Sequence, residues 1–273
     1  MSKGGIYPFL GVSHPFDPDY SFVTSPVFSP FVLAILRLTI ASYALFVVLF
    51  AIIWDSVRLK NADSLSDIRY FSFFTELSYI GLLAYFWAAG VQTLVYSVRG
   101  RYLLQKWPRP LQFLHTLLYS TITTFPILVT IAYWTLLSSS SSFATRFRSW
   151  QNISIHAMNS GMALFEIFCT HGGPLPWIHL LFAEIFLACY LGVVYITRAT
   201  QGFYTYDFLD PHLQHAKLAA YIVGIAVAQI IIFTVVHLLI RLREQLSRRL
   251  YVPSTPEAID EWEEVDRPSS RAV

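Results

Sequence analysis

Charge is what this sequence has least of. Only 13% of its 273 residues are Asp, Glu, Lys or Arg, about half the share of an ordinary soluble domain. The 19 basic and 17 acidic residues leave a net charge of +2, and the basic residues are scattered over short loops. That pattern excludes the basic stripe nucleic-acid binding requires. Cysteine is scarcer still: Cys169 and Cys189 stand alone, without metal-ligand spacing, so neither a disulfide framework nor a zinc site is expected. Residues 1–30 hold Pro, Ser and aromatics but no basic flank leading into an apolar run and a small-residue cleavage site. A cleavable signal peptide is therefore not expected, and the first apolar run serves as the insertion signal.

What the chain has in abundance is apolar length: 55% of residues are hydrophobic and 16% aromatic, with a mean hydropathy of +0.51. About 20 apolar residues cross the roughly 30 Å of bilayer hydrocarbon as a helix. Runs of that kind occupy 31–53, 72–96, 111–137, 152–170, 174–197 and 217–240, separated by polar or Pro/Gly breakers. The predicted class is all-α: a polytopic membrane protein, a bundle of about six transmembrane helices. Its expected divisions are a polar, Pro-rich tail at 1–30, the membrane domain at 31–242, and an acidic, disordered tail at 243–273 available to a protein partner. Pro126 inside the third run predicts a kink. Eight basic residues near the spans, among them Arg99, Arg101, Arg241 and Arg243, fall on one side against seven on the other. The denser side puts both termini in the cytoplasm, with the protein in the endoplasmic reticulum or plasma membrane.

Ionisable groups inside the spans point to function, because each costs about 2.5–3.5 kcal/mol at the bilayer centre on insertion scales. In the fourth run Asn152, His156, Asn159, Ala163, Glu166 and Thr170 recur in steps of four and three. One helix face collects them, opposite Ile155, Leu164 and Phe168, and that face turns toward the bundle interior. Small and polar residues also serve plain helix packing, but a stripe with both His and Glu marks a site. In the second run Thr75 brings a hydroxyl into an apolar surface, at a depth matching His156 because both runs enter from the same side. A neutral imidazole activates such a hydroxyl by taking its proton. Asn152 is placed to orient the ring, and Asn159 or main-chain N–H groups to stabilise an oxyanion.

His115, His179 and His237 fall near the opposite membrane face and leave His156 alone, so the paired ligands of a transmembrane haem carrier do not form. No metal and no cofactor is expected. Asn152-Ile153-Ser154 satisfies the glycosylation sequon, yet its place at the membrane boundary predicts no glycan.

Asn152-Ile153-Ser154-Ile155-His156 with Glu166 ten residues on, Phe74-Thr75 followed by Tyr85-Phe86, Phe125-Pro126 with Trp134, and Gly202 to Leu209 occur in one order. In that order they resemble the landmarks of the androgen-induced protein family, over roughly residues 70–240. The resemblance implies a multi-pass membrane hydrolase of fatty acid esters of hydroxy fatty acids, with Thr75 as nucleophile and His156 as general base. Ser72, a competing hydroxyl, Glu76, a carboxylate beside the nucleophile, and the long tails depart from the family pattern. The alternative expectation is a lipid-binding or scaffold protein that keeps this fold without catalysis.

Overall fold

The computed structural model describes residues 5–59 and 70–250. Its long helices are α1 (Pro30–Leu59), α2 (Phe74–Arg99), α3 (Arg109–Ala132), α4 (Arg146–Ile153), α5 (Asn159–Cys169), α6 (Ile178–Gln201) and α7 (Lys217–Leu250). Among the described residues five helical spans are long and apolar enough to cross a membrane: those of α1, α2, α3, α6 and α7. The remaining expected span is an interrupted one. A π turn, Ser154–Met158, joins α4 to α5, and a second π turn, Tyr133–Leu137, closes α3.

Local chemistry sets the helix ends. Pro30 opens α1 behind Ser29, whose Oγ takes the Val32 N–H at 3.4 Å and whose carbonyl takes that of Leu33 at 2.9 Å. Its fixed φ suits a first turn. Gly100 and Gly202, at φ 64° and 81°, end α2 and α6 in the left-handed conformation that only glycine enters without strain. The fourth expected span begins at Arg146 rather than residue 152, and α7 continues to Leu250, past the expected boundary at 242. The acidic residues Glu263, Glu264 and Asp266 lie outside the described residues.

Successive spans alternate direction, with α4 and α5 forming one interrupted span, so one end of the bundle holds the start of α1, α3 and α6 and the other the start of α2, α4 and α7. Helices α1 and α2 make the most extensive contact. Ala41, Ala44, Ala51 and Ala89 are buried there, and a Cβ on Gly90 would meet Leu38 Cδ2 at 2.8 Å. Small residues replace the missing hydrophobic drive in lipid by letting backbones approach. Pro126 lies inside α3, and its carbonyl accepts from Ser160 Oγ of α5 at 3.0 Å.

Residues 5–29, expected to be a tail, instead cover the first end of the bundle. Val12, Phe16 and Val23 are buried with Tyr102 and Leu104. Asp17 accepts from Ser21 N and Oγ at 2.8 and 2.6 Å, Phe22 N at 3.2 Å and the Tyr102 hydroxyl at 2.6 Å. Beneath this cap Arg37 of α1 meets Glu166 of α5 in a bidentate pair, Nε–Oε1 2.8 Å and Nη2–Oε2 2.7 Å. Arg37 Nη1 donates to Phe22 O and Thr93 Oγ1, both at 2.7 Å, and the Tyr85 hydroxyl donates to Glu166 at 3.1 Å. Glu166, expected to support the catalytic site, is therefore the partner of a buried cation. One network ties α1, α2, α5 and the cap.

Candidate functional site

The π turn decides where the fourth-span stripe faces. A π turn adds one residue to a helix and rephases the faces on either side of it. Asn159, Ala163, Glu166 and Thr170 are buried as expected, and Leu164 and Phe168 are exposed. Ile155, expected on the outer face, is turned inward beside His156 and is 4% exposed.

Tyr133 and His156 belong to the two π turns and stack face to face, with ring centroids 3.7 Å apart and 5° between planes. π turns are rare, and they are found frequently at functional sites. Neither His156 Nδ1 nor the Tyr133 hydroxyl has a hydrogen-bond partner among the described residues.

Thr75 sits in the first turn of α2 and is buried. The Tyr206 hydroxyl lies close to both the side chain and the main chain of Thr75. The Tyr190 hydroxyl donates to Ser72 O at 3.0 Å and lies 3.1 Å from Thr205 Oγ1. First-turn N–H groups have no acceptor within their own helix, and these tyrosine hydroxyls gather beside them. Glu76, in the same turn, is close enough to act electrostatically on Tyr190 and Tyr206, and a carboxylate there suits the helix dipole.

Thr75, Tyr133, Glu184, Tyr190, Tyr206 and Ile225 are among the residues around an apolar cavity of about 220 Å³ between α2, α3, α6, α7 and the 203–209 loop. Ser72 and His156 are not in its wall. A cleft of about 330 Å³ between α2, α3 and α6 shares Phe74 and Tyr190 with the cavity. It opens among Leu77, Phe186 and Cys189, all exposed. The Phe74 ring packs against Phe125 and Tyr190, each at 5.2 Å.

The expected supporting residues are occupied elsewhere. Asn152 Nδ2 donates to Ser142 O at 2.8 Å, so it holds a loop and does not orient His156. Asn159 Oδ1 accepts from Thr130 Oγ1 at 3.1 Å and Ser160 N at 2.6 Å. Among the described residues no hydrogen bond joins Thr75 to His156; Tyr133, which lines the cavity and covers the imidazole, is the residue common to both.

The other histidines are separated. His179 bridges Ser120 Oγ at 2.7 Å and Leu10 O at 3.1 Å. His237 Nδ1 lies 2.8 Å from Leu175 O, and His115 stacks on Tyr85. No three His, Cys, Asp or Glu side chains converge among the described residues. Sequence reading missed Tyr133, Tyr190 and Tyr206, which aromatic abundance hides. It also missed Arg37 and Glu184, whose signal is an ionisable residue inside an apolar run.

The fold thus defines an all-α, multi-pass membrane bundle with an apolar intramembrane cavity. No family model, no curated protein and no solved structure matches this chain.

Proposed function

We propose that this protein is an integral-membrane hydrolase of a lipid ester, with Thr75 as nucleophile and His156 as general base. The observation that carries the reading is the place of Thr75, a buried hydroxyl residue lining an apolar cavity from the first turn of a long helix. The acyl chain fills the cavity, each buried methylene contributing about 0.8 kcal/mol, after entering from lipid through the α2–α3–α6 cleft past Phe74. Substrate displaces the Tyr133 ring and uncovers His156; apo contacts of catalytic groups are often loose and tighten with substrate.

Thr75 Oγ1 attacks the ester carbonyl while its proton passes to His156. N–H groups of the first turn, which have no acceptor within their own helix, stabilise the oxyanion once substrate displaces the tyrosine hydroxyls beside them. The imidazolium returns the proton to the leaving alcohol, and water then releases the acid from the acyl-threonine. The family resemblance makes fatty acid esters of hydroxy fatty acids the first substrates to test, and the denser basic side puts the capped end in the cytoplasm.

The test is turnover of a lipid-ester panel by purified protein. Thr75→Ala should lower kcat by at least about 10³-fold and His156→Ala by about 10²–10⁴-fold, while Thr75→Ser keeps measurable activity. A fluorophosphonate should label Thr75. Full turnover by Thr75→Ala removes it as nucleophile. A lipid-binding or scaffold role is the second reading, favoured by the closeness of Tyr206 to Thr75 and by the absence, among the described residues, of a hydrogen bond from Thr75 to His156; it predicts equal background turnover in all variants.

A further inference from the structure

Glu184 is the one carboxylate in the wall of the cavity among the described residues, and the hydrolytic reading does not use it. Its depth follows from a neighbour: His179 of α6 bonds Ser120 of α3 at 2.7 Å, and the two helices run in the same direction. Five residues further along α6, Glu184 is level with the middle of α3. Gln229 of α7 reaches that level too, donating through Nε2 to Thr124 Oγ1 at 3.1 Å. Three residues before Gln229, Ala226 lines the cavity.

Glu184 Oε1 and Gln229 Oε1 are both buried without a hydrogen-bond partner among the described residues. Two acceptor oxygens therefore stand at one depth on adjacent helices, in apolar surroundings that make an unmet buried acceptor costly. Cavity and chemistry together specify a complement. An ester or carboxylate would bring only further acceptors, whereas a hydroxyl or amine brings the missing hydrogens.

We propose that Glu184 anchors the ligand at mid-membrane by accepting a hydrogen bond from a hydroxyl or amino group carried on its apolar chain. This deepens the reading of the cavity as an acyl site. It places the donor about 9 Å along α6 from Tyr190, at six residues of 1.5 Å rise, and so well away from the Thr75 hydroxyl. Glu184 is a specificity residue in this arrangement and takes no part in bond cleavage.

The test displaces a fluorescent fatty-acid probe from purified full-length protein with dodecanol, dodecylamine and the methyl ether of dodecanol. Wild type should bind the alcohol and the amine about tenfold more tightly than the ether, the ratio expected for one hydrogen bond to a charged acceptor. Glu184→Leu should erase both preferences. Glu184→Gln, which keeps an acceptor oxygen and the side-chain shape, should retain the alcohol preference and lose the amine preference. Equal binding of alcohol and ether by wild type, or an unchanged preference in Glu184→Leu, overturns the proposal and assigns those oxygens to water. Failure of all three to displace the probe overturns the acyl-site reading along with it. The assay requires no turnover, so a protein without hydrolase activity still displays the preference.

Discussion

Arg37 and Glu166 each place a full charge in the apolar interior, and each is tolerable because the other is there. Removing a carboxylate or ammonium from water costs several kcal/mol, and only close geometry with further hydrogen bonds offsets that. Here two parallel N–H···O bonds, the Phe22 carbonyl, Thr93 and Tyr85 supply them. Glu166→Leu leaves the guanidinium uncompensated and should cost about 3–5 kcal/mol, read as a lower unfolding midpoint in mild detergent. Arg37→Met with Glu166→Leu should recover most of the loss. A double variant as unstable as Glu166→Leu alone would mean that the pair does more than neutralise itself. Each residue was visible in the sequence as a charge in an apolar run; their pairing across 129 positions was not.

The two π turns do at the level of elements what no single residue does. Each inserts one residue, and in α4–α5 this brings His156 and Ile155 inward together. Deleting Ala157 should restore plain helix and rotate the residues before it by about 100° relative to α5. Glu166 then keeps Arg37 while Ile155 turns outward. With Cys169 and Cys189 replaced by Ser, Ile155→Cys should resist a membrane-permeant thiol reagent in the full-length chain and react readily after the deletion. A cysteine protected in both would mean the bundle re-forms the bulge elsewhere. A fixed 3.6-residue period assigns faces correctly only up to such an insertion, which is why Glu166 and Leu164 fell as expected and Ile155 did not.

Across the whole molecule the two ends differ in kind: one is sealed by the 5–29 cap, the other holds the cavity and its tyrosines. The cap's grip depends on groups outside the spans. His171 Nδ1 lies 3.0 Å from Thr24 Oγ1, and burial, followed by the charge of Arg243, lowers its pKa below 6.5. A lowered pKa gives stability present above the ordinary value and lost as acid protonates the ring in the loosened state. Tyr102 is the opposite case: burial, then the Asp17 carboxylate, raises its pKa well above 10. Its contribution is complete below pH 10 and falls as pH rises beyond it. Hydrogen-exchange protection of residues 12–23 should therefore peak between about pH 6.5 and 10 and decline on both sides. Asp17→Asn should lower the plateau, and a flat profile from pH 5 to 11 would remove both groups from the cap's stability.

The sequence by itself determined the solvent, and with it the class. Once charge is rare and apolar runs match the bilayer, every spanning segment must satisfy its own backbone polar groups, and helices follow. It also determined which end carries Thr75 and His156, because alternation of spans needs only their order. Tertiary structure decided the neighbours: Tyr206 beside Thr75, Tyr133 stacked on His156, Arg37 paired with Glu166, Ser142 bonded to Asn152. Periodicity says which way a side chain points along its own helix, while hydrogen bonds and ring contacts depend on the register between helices. That register is set by close approaches such as Gly90 against Leu38 and by single-residue insertions. The cavity and Glu184's place in it depend on that register as well, since the depth of α6 was settled by His179 meeting Ser120.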